Sequence, residues 1–164
     1  MDILELIKTR RSVRKFKKEA VSKKLILEML ESGRWAPSGL NNQPWKFMVL
    51  GGEDKDSLAK YTKYSRIVKS ADKLIVVFFD KEGSYNRDKD LMAIGACIQN
   101  MLIFIHSKKL GVCWLGEILN QKAQIHKLLK TPKNLELAAV LALGYPLNYS
   151  RQGRRKELKD LIIR

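Results

Sequence analysis

An α+β fold is what this sequence predicts, on three observations. Short apolar runs of strand length alternate with longer segments whose apolar residues recur at helical spacing. Glycine- and proline-bearing turns separate the two kinds of segment. The chain of 164 residues has length for one core and no more, so residues 1–164 are expected to form a single domain.

In chain order, Ile3, Leu6 and Ile7 predict a short amphipathic helix over residues 2–9, running into Arg10, Arg11 and Ser12. Ser22 is placed to cap a second helix, with Leu25, Ile26, Met29 and Leu30 on its buried side and Gly33 and Pro37 ending it. A loop runs through Pro44, Lys46–Leu50 reads as a strand, and Gly51 and Gly52 read as the turn after it. Residues 55–70 carry a further helical stretch. Lys73–Phe79, with LIVVFF inside it, is the clearest buried strand. A polar loop covers residues 80–90, and Leu91–Lys108 then supplies the longest helix, apolar on nearly every side and so central or interfacial. Gly111–Leu115 is extended, and Asn120 is expected to cap a helix to Leu129 that Pro132 stops. Leu137–Leu143 is a third strand, closed by Gly144, Tyr145 and Pro146. In the charged tail, Leu158, Leu161 and Ile162 are expected to serve as anchors.

Charge is the outlier. Thirty-two Lys and Arg against 17 Asp and Glu give +15, which raises polyanion binding. The lysines are spread through every segment, however, and Trp35, Trp45 and Trp114 stand in apolar or proline-rich contexts rather than among arginines. A solvated lysine-rich surface is the better reading, with no specific nucleic-acid partner. The apolar runs are shorter than the ~20 residues of a membrane span, and the N-terminal segment lacks the order of a secretory leader, so a cytoplasmic protein with no membrane partner is expected. Cys97 and Cys113 are too few and too far apart for a redox or zinc motif and read as reduced, buried thiols. His106 and His126 have no ligand-spaced neighbours and read as ordinary helix residues, so no metal is implied.

Two segments carry chemistry in their own right. Arg10, Arg11, Ser12 and Arg14 alternate guanidiniums with a hydroxyl at a helix end, which suits bidentate, charge-assisted bonds to a phosphate; a solvated basic turn is the alternative. Pro37, Ser38, Gly39, Leu40, Asn41, Asn42, Gln43 and Pro44 form a loop fixed by two prolines, whose small residues let backbone approach a flat ligand. The amides of Asn41 and Gln43 both donate and accept, as the rim of a pyrimidine-like ring requires.

RRSVRKF, followed some two dozen residues later by APSGLNNQPWKF, resembles the N-terminal signature of the nitroreductase family of flavoproteins. The resemblance continues through Gly95–Asn100, Leu110–Glu117 and Leu143–Pro146, and so spans nearly the whole chain. It implies a nitroreductase-like fold, a central, mainly antiparallel sheet flanked by helices, in a homodimer that binds FMN between its subunits. It implies that Arg10, Arg11, Ser12 and Arg14 hold the phosphate and the N1/C2 side of the flavin, with Arg14 beside N1. Pro37, Ser38, Gly39, Asn41 and Gln43 would line the ring, and the backbone of Leu115, Gly116 and Glu117 would face N5. Arg154 and Arg155 look like further phosphate contacts, in competition with Arg151 and Lys156.

The activity implied is transfer of a hydride from NADH or NADPH through FMN to a small electron acceptor, by a ping-pong mechanism. The acceptor (nitroaromatic, quinone, enone or halogenated phenol) stays open, and no side chain is assigned as general acid or base. A flavin sensor or store without efficient turnover fits the same residues. Between Trp45 and Leu74 no match is found for the family's further polar flavin contacts.

Overall fold

In the computed structural model, which describes residues 2–148 and 153–163, four apolar runs pair into one sheet. They are β1 (Trp45–Leu50), β2 (Lys73–Asp80), β3 (Gly111–Leu115) and β4 (Leu135–Gly144), in the order β1-β2-β4-β3 and antiparallel at every pairing. Around them lie helices α1 (Ile3–Thr9), α2 (Lys23–Arg34), α3 (Gly52–Leu58), α4 (Ser65–Ser70), α5 (Arg87–Ser107) and α6 (Lys122–Leu129). This is the expected α+β arrangement, a central antiparallel sheet flanked by helices.

β2 is an inner strand covered on both faces, which is why its LIVVFF run is apolar without alternation. On one face Ile75, Val77 and Leu141 meet Met29 of α2 and Ile98 and Met101 of α5. On the other, Val76, Phe78 and Val140 meet Leu58, Val68, Ile118 and Ile125. Each such side chain is worth ~1.5–3 kcal/mol when fully buried, so the two apolar layers hold the sheet in place. α5 alone among the described helices is long and apolar enough to cross a membrane, and it is the helix that fills the first of these layers.

Ser22 caps α2 as expected, its Oγ accepting from Leu25 N–H at 3.3 Å. Gly33 does not end that helix. It sits inside α2, where a Cβ would come 2.9 Å from Met101 Cγ and 3.0 Å from Cys97 Sγ, so it marks the close crossing of α2 on α5. The single helical stretch expected over residues 55–70 is broken, because Thr62 is extended (φ -143, ψ 145) between a 3-10 turn and α4. Lys55 is buried there: its Nζ donates to the carbonyls of Val68 and Lys69 at 3.1 and 3.0 Å, capping the C-terminal end of α4.

α5 starts at Arg87 rather than Leu91, because Asn86 Oδ1 accepts from Lys89 N–H at 3.1 Å and caps it. Asn120 does not cap α6; it lies in the 3-10 turn Glu117–Gln121. α6 stops where Lys130 turns left-handed (φ 49), ahead of Pro132. The tail departs most from expectation. Leu158, Leu161 and Ile162 are 71%, 60% and 64% exposed and anchor nothing on their own chain, and Ile3, Leu4 and Ile7 of α1 are exposed as well.

Candidate active site

The arginine segment is laid along the open edge of β3. Ser12 bridges to Val112, Val13 N–H donates to Val112 O at 3.0 Å, and Lys17 N–H donates to Tyr145 O at 2.8 Å. Val13 and Phe16 turn inward and are buried, which leaves Ser12 and Arg14 exposed. Arg10 is half-buried. Burial is the main cause of its lowered pKa, followed by the charges of Arg155 and Arg11. A cation pressed among cations is a place that an anion relieves.

Arg11 Nη1 donates to the carbonyls of Lys8 and Arg10 at 2.6 and 2.7 Å. Its guanidinium lies over Gly153, so the tail returns to this cluster and brings Arg155 with it. Arg154 is exposed and gives its carbonyl to Arg155 Nη1 at 2.7 Å; Lys156 is exposed, and Arg151 lies outside the described residues. His106 belongs to the same cluster and is more than an ordinary helix residue. Its Nε2 is 3.0 Å from Thr9 Oγ1, and burial, then Arg10 and Arg11, lower its pKa. Spacing gave no sign of this, because the two partners stand 97 residues apart.

The loop between the prolines is tightly turned. Leu40, Asn41 and Gln43 adopt left-handed conformations (φ 54, 53 and 48), sparsely populated for residues other than glycine. Ser38 closes the turn, its Oγ accepting from Gln43 N–H at 3.0 Å and its carbonyl from Asn41 N–H at 3.1 Å. Gly39 lies beneath Tyr85, with no room for a side chain. Leu40 is 84% exposed.

The segment from Gly111 to Glu117 closes a cavity of about 160 Å³ lined by Arg14, Tyr64, Cys113, Trp114, Gly116 and Glu117, among others. Because Val112 turns its carbonyl to the outer edge of β3, alternation turns the N–H of Trp114 and of Gly116 the same way, while Leu115 faces its β4 partner Val140. Glu117 is engaged: its Oε2 accepts from Thr62 Oγ1 at 2.8 Å and from Lys63 N–H at 3.2 Å. From the stretch between Trp45 and Leu74, where the sequence offered no motif, Tyr64 and Ile67 therefore line the cavity, while Thr62 and Lys63 hold Glu117 in its wall. Cys113 faces the same cavity; burial raises its thiol pKa and Arg14 offsets part of that rise. Among the described residues no group of three or more His, Cys, Asp or Glu could hold a metal.

Arg14 and the end of β3 thus share one cavity, and Arg10, Arg11, His106 and Arg155 form one cationic cluster. The proline-flanked loop stands apart from both. Asn42 is bonded to Asp90 in the first turn of α5, whereas Thr9 touches His106 in its last, about 24 Å along the helix. β1, which follows the loop, and β3 are also opposite edges of the sheet.

A sequence model of the nitroreductase family matches residues 7–65 and 54–145. The chain belongs to that family. A proposed NAD(P)H nitroreductase of Bacillus subtilis (strain 168) is 30% identical over 176 residues, covering 95% of this chain and 90% of its own. The NADPH-flavin oxidoreductase of Vibrio harveyi is 28% identical, over 87% of this chain and 65% of that protein. A proposed nitroreductase of Desulfovibrio desulfuricans, solved in complex with FMN, is 42% identical and superposes with a TM-score of 0.96, covering 100% of this chain and 96% of that one. In this nitroreductase-family chain the functional candidates that sequence reasoning missed are therefore Thr62, Lys63, Tyr64 and His106. Each is brought in by tertiary contact rather than by motif.

Proposed function

We propose that this nitroreductase-family protein is an FMN-dependent oxidoreductase. It takes a hydride from NADH or NADPH and passes reducing equivalents to a small acceptor, such as a nitroaromatic or quinone, by ping-pong kinetics. The observation that carries this reading is half-buried Arg10, set against the charges of Arg155 and Arg11, on the same β3-edge segment whose Arg14 lines the cavity at the end of that strand.

The residues fit FMN. Arg10, Arg11, Ser12 and Arg155, with His106, suit its phosphate, since guanidiniums and hydroxyls bind phosphate oxygens by charge-assisted bonds. The outward N–H of Gly116 and the guanidinium of Arg14 stand at one cavity, where they suit the polar edge of the ring. Ser38, Asn41 and Gln43 offer the remaining amide and hydroxyl contacts. FMN bound there supplies the hydride and electron chemistry, and the chain supplies position and charge. Arg14 favours negative charge on the ring side it faces, Tyr64 and Trp114 offer aromatic walls to a planar substrate, and Glu117, committed to Thr62 and Lys63, holds the β3 end in shape rather than moving a proton.

A homodimer of single-domain, cytoplasmic subunits completes the reading. The loop and the arginines lie at opposite ends of α5, and a twofold axis across that helix brings the loop of one copy to the arginines of the other. Met92, Gly95, Ala96, Gln99 and Ile103 form a stripe on α5 that is exposed or half-buried, with small residues at its centre for close approach.

The test is the purified protein. A yellow preparation that releases FMN on denaturation, and whose flavin is bleached by NADH or NADPH before any acceptor is added, is expected. A flavin that stays oxidised with both nucleotides would favour the sensor or storage reading, and a colourless protein that takes up no FMN would end both.

A further inference from the structure

The geometry points to Asp90 as the positioning residue of the loop Pro37–Pro44: through Asn42 it holds the left-handed turn in the shape that receives the flavin. This inference rests on the FMN reading above. Left-handed residues other than glycine persist only where their surroundings over-determine them, and this loop holds Leu40, Asn41 and Gln43 in that state. The bonds made by Ser38, and the one from Gln43 Nε2 to Asn41 O at 3.3 Å, stay within the loop. Asn42 bonds outside the loop, its Nδ2 donating to Asp90 Oδ1 at 2.8 Å and to Gly83 O at 3.1 Å. Its amide cannot turn round, because that would set Oδ1 against a carboxylate; Oδ1 is instead left buried without a donor.

Asp90 is fully buried, and burial by itself raises its pKa. Bonds from Ser84 Oγ, 2.6 Å from Oδ2, from Asn42 and from the Asn86 and Tyr85 backbone outweigh that and hold its pKa down. The carboxylate is therefore a charged acceptor, which makes these bonds strong. It sits in the first turn of α5, whose following residues Ala93, Ile94 and Cys97 are packed in the core. The loop is fastened in this way to the best-anchored helix of the fold. An apolar residue at position 90 would fill the same space without fixing the turn.

The experiment compares FMN affinity, by fluorescence titration, with the Tm of the FMN-free protein for Asp90→Ala, Asp90→Asn, Asn42→Ala and the Asp90→Ala/Asn42→Ala double variant. Leu74→Ala is the control, a core residue remote from the loop. Asp90→Ala and Asn42→Ala should each weaken FMN roughly tenfold, with the double variant no weaker than either, while Asp90→Asn, which still accepts from Asn42 and can donate to Ser84, stays within about threefold of wild type. Leu74→Ala should lower Tm and leave affinity unchanged. Wild-type affinity in Asp90→Ala despite a lowered Tm would overturn the inference, as would additive losses in the double variant. If Asp90→Ala does not fold, Asn42→Ala decides by itself, and unchanged affinity there overturns the inference equally. A wild-type protein that binds no FMN would overturn the FMN reading and this inference with it; the other outcomes leave that reading standing.

Discussion

Thr9 Oγ1 lies 3.0 Å from His106 Nε2, which joins the end of α1 to the last turn of α5 and sets the imidazole beside Arg10 and Arg11. Burial first, and then those two charges, hold the His106 pKa below its ordinary 6.5. Folding thus favours the neutral ring, and the unfolded chain takes up the proton first as pH falls. The stabilising contribution is whole above pH 6.5 and is lost as pH drops through the lower folded value. The Tm of the FMN-free protein should therefore fall more steeply below pH 6.5 for wild type than for His106→Gln, with parallel curves above it. A phosphate ion in the cluster opposes the two arginines, so inorganic phosphate should raise the His106 titration midpoint seen by NMR. Parallel curves throughout, with no response to phosphate, would remove His106 from the cluster.

Arg10→Ala tests the phosphate contact directly. Arg10 is only half-buried and its nearest charges repel it, so its loss should leave Tm unchanged or slightly raised. Hydrogen bonds to charged groups are worth ~1.5–3 kcal/mol, which corresponds to a roughly ten- to hundredfold loss of FMN affinity. Unchanged affinity in a fluorescence titration would exclude Arg10 from the site.

Much of this architecture could be read from the sequence, and what could not has physical reasons. LIVVFF announced β2 because a strand covered on both faces carries no polar alternation, and Ser22 announced α2 because a cap is a local interaction. The arginine segment and the proline-flanked loop were legible because contiguous residues specify them. Gly33 was misread because the crossing of α2 on α5 that demands a glycine is tertiary. The same holds for Lys55, whose partners Val68 and Lys69 lie thirteen and fourteen residues on, and for His106 and Asp90, whose roles come from contacts far away in the chain. Leu158, Leu161 and Ile162 read as anchors of the tail, but apolar spacing shows only that a side chain seeks burial and not which surface buries it.

Gly111 sets how closely the arginine segment lies on β3. A Cβ at that position would come 2.7 Å from Val13 Cβ and 2.8 Å from each of its methyl carbons. Valine is stiff at χ1 and this one is buried, so the backbone must yield. Gly111→Ala should cost about 1–3 kcal/mol of stability and weaken FMN, because Ser12 and Arg14 flank the displaced residue. Val13→Ala on that background should recover part of both losses. If Gly111→Ala retains wild-type stability and affinity, the segment is held by something other than this contact.

Whether each flavin site is built from two chains is decided by subunit mixing. Within one chain the loop at Asn42 and the cluster at His106 stand about 24 Å apart along α5, and the exposed apolar residues of α1, α5 and the tail offer surface for a second copy. In the arrangement proposed above, Arg10–Arg14 of one subunit face Pro37–Asn41 of the other. One variant is broken at Arg10 and Arg14 and a second at Ser38 and Asn41, each unable to hold FMN as a homodimer. They are unfolded together, refolded, and the heterodimer isolated through two different tags. With shared sites, every heterodimer has one site broken on both sides and one wholly native, so FMN binding should return at half the wild-type stoichiometry with wild-type affinity. With each site inside one chain, every site in the mixture keeps a broken half and none recovers. A confirmed heterodimer that binds no FMN would rule out the shared site and place arginines and loop around a flavin by some other path.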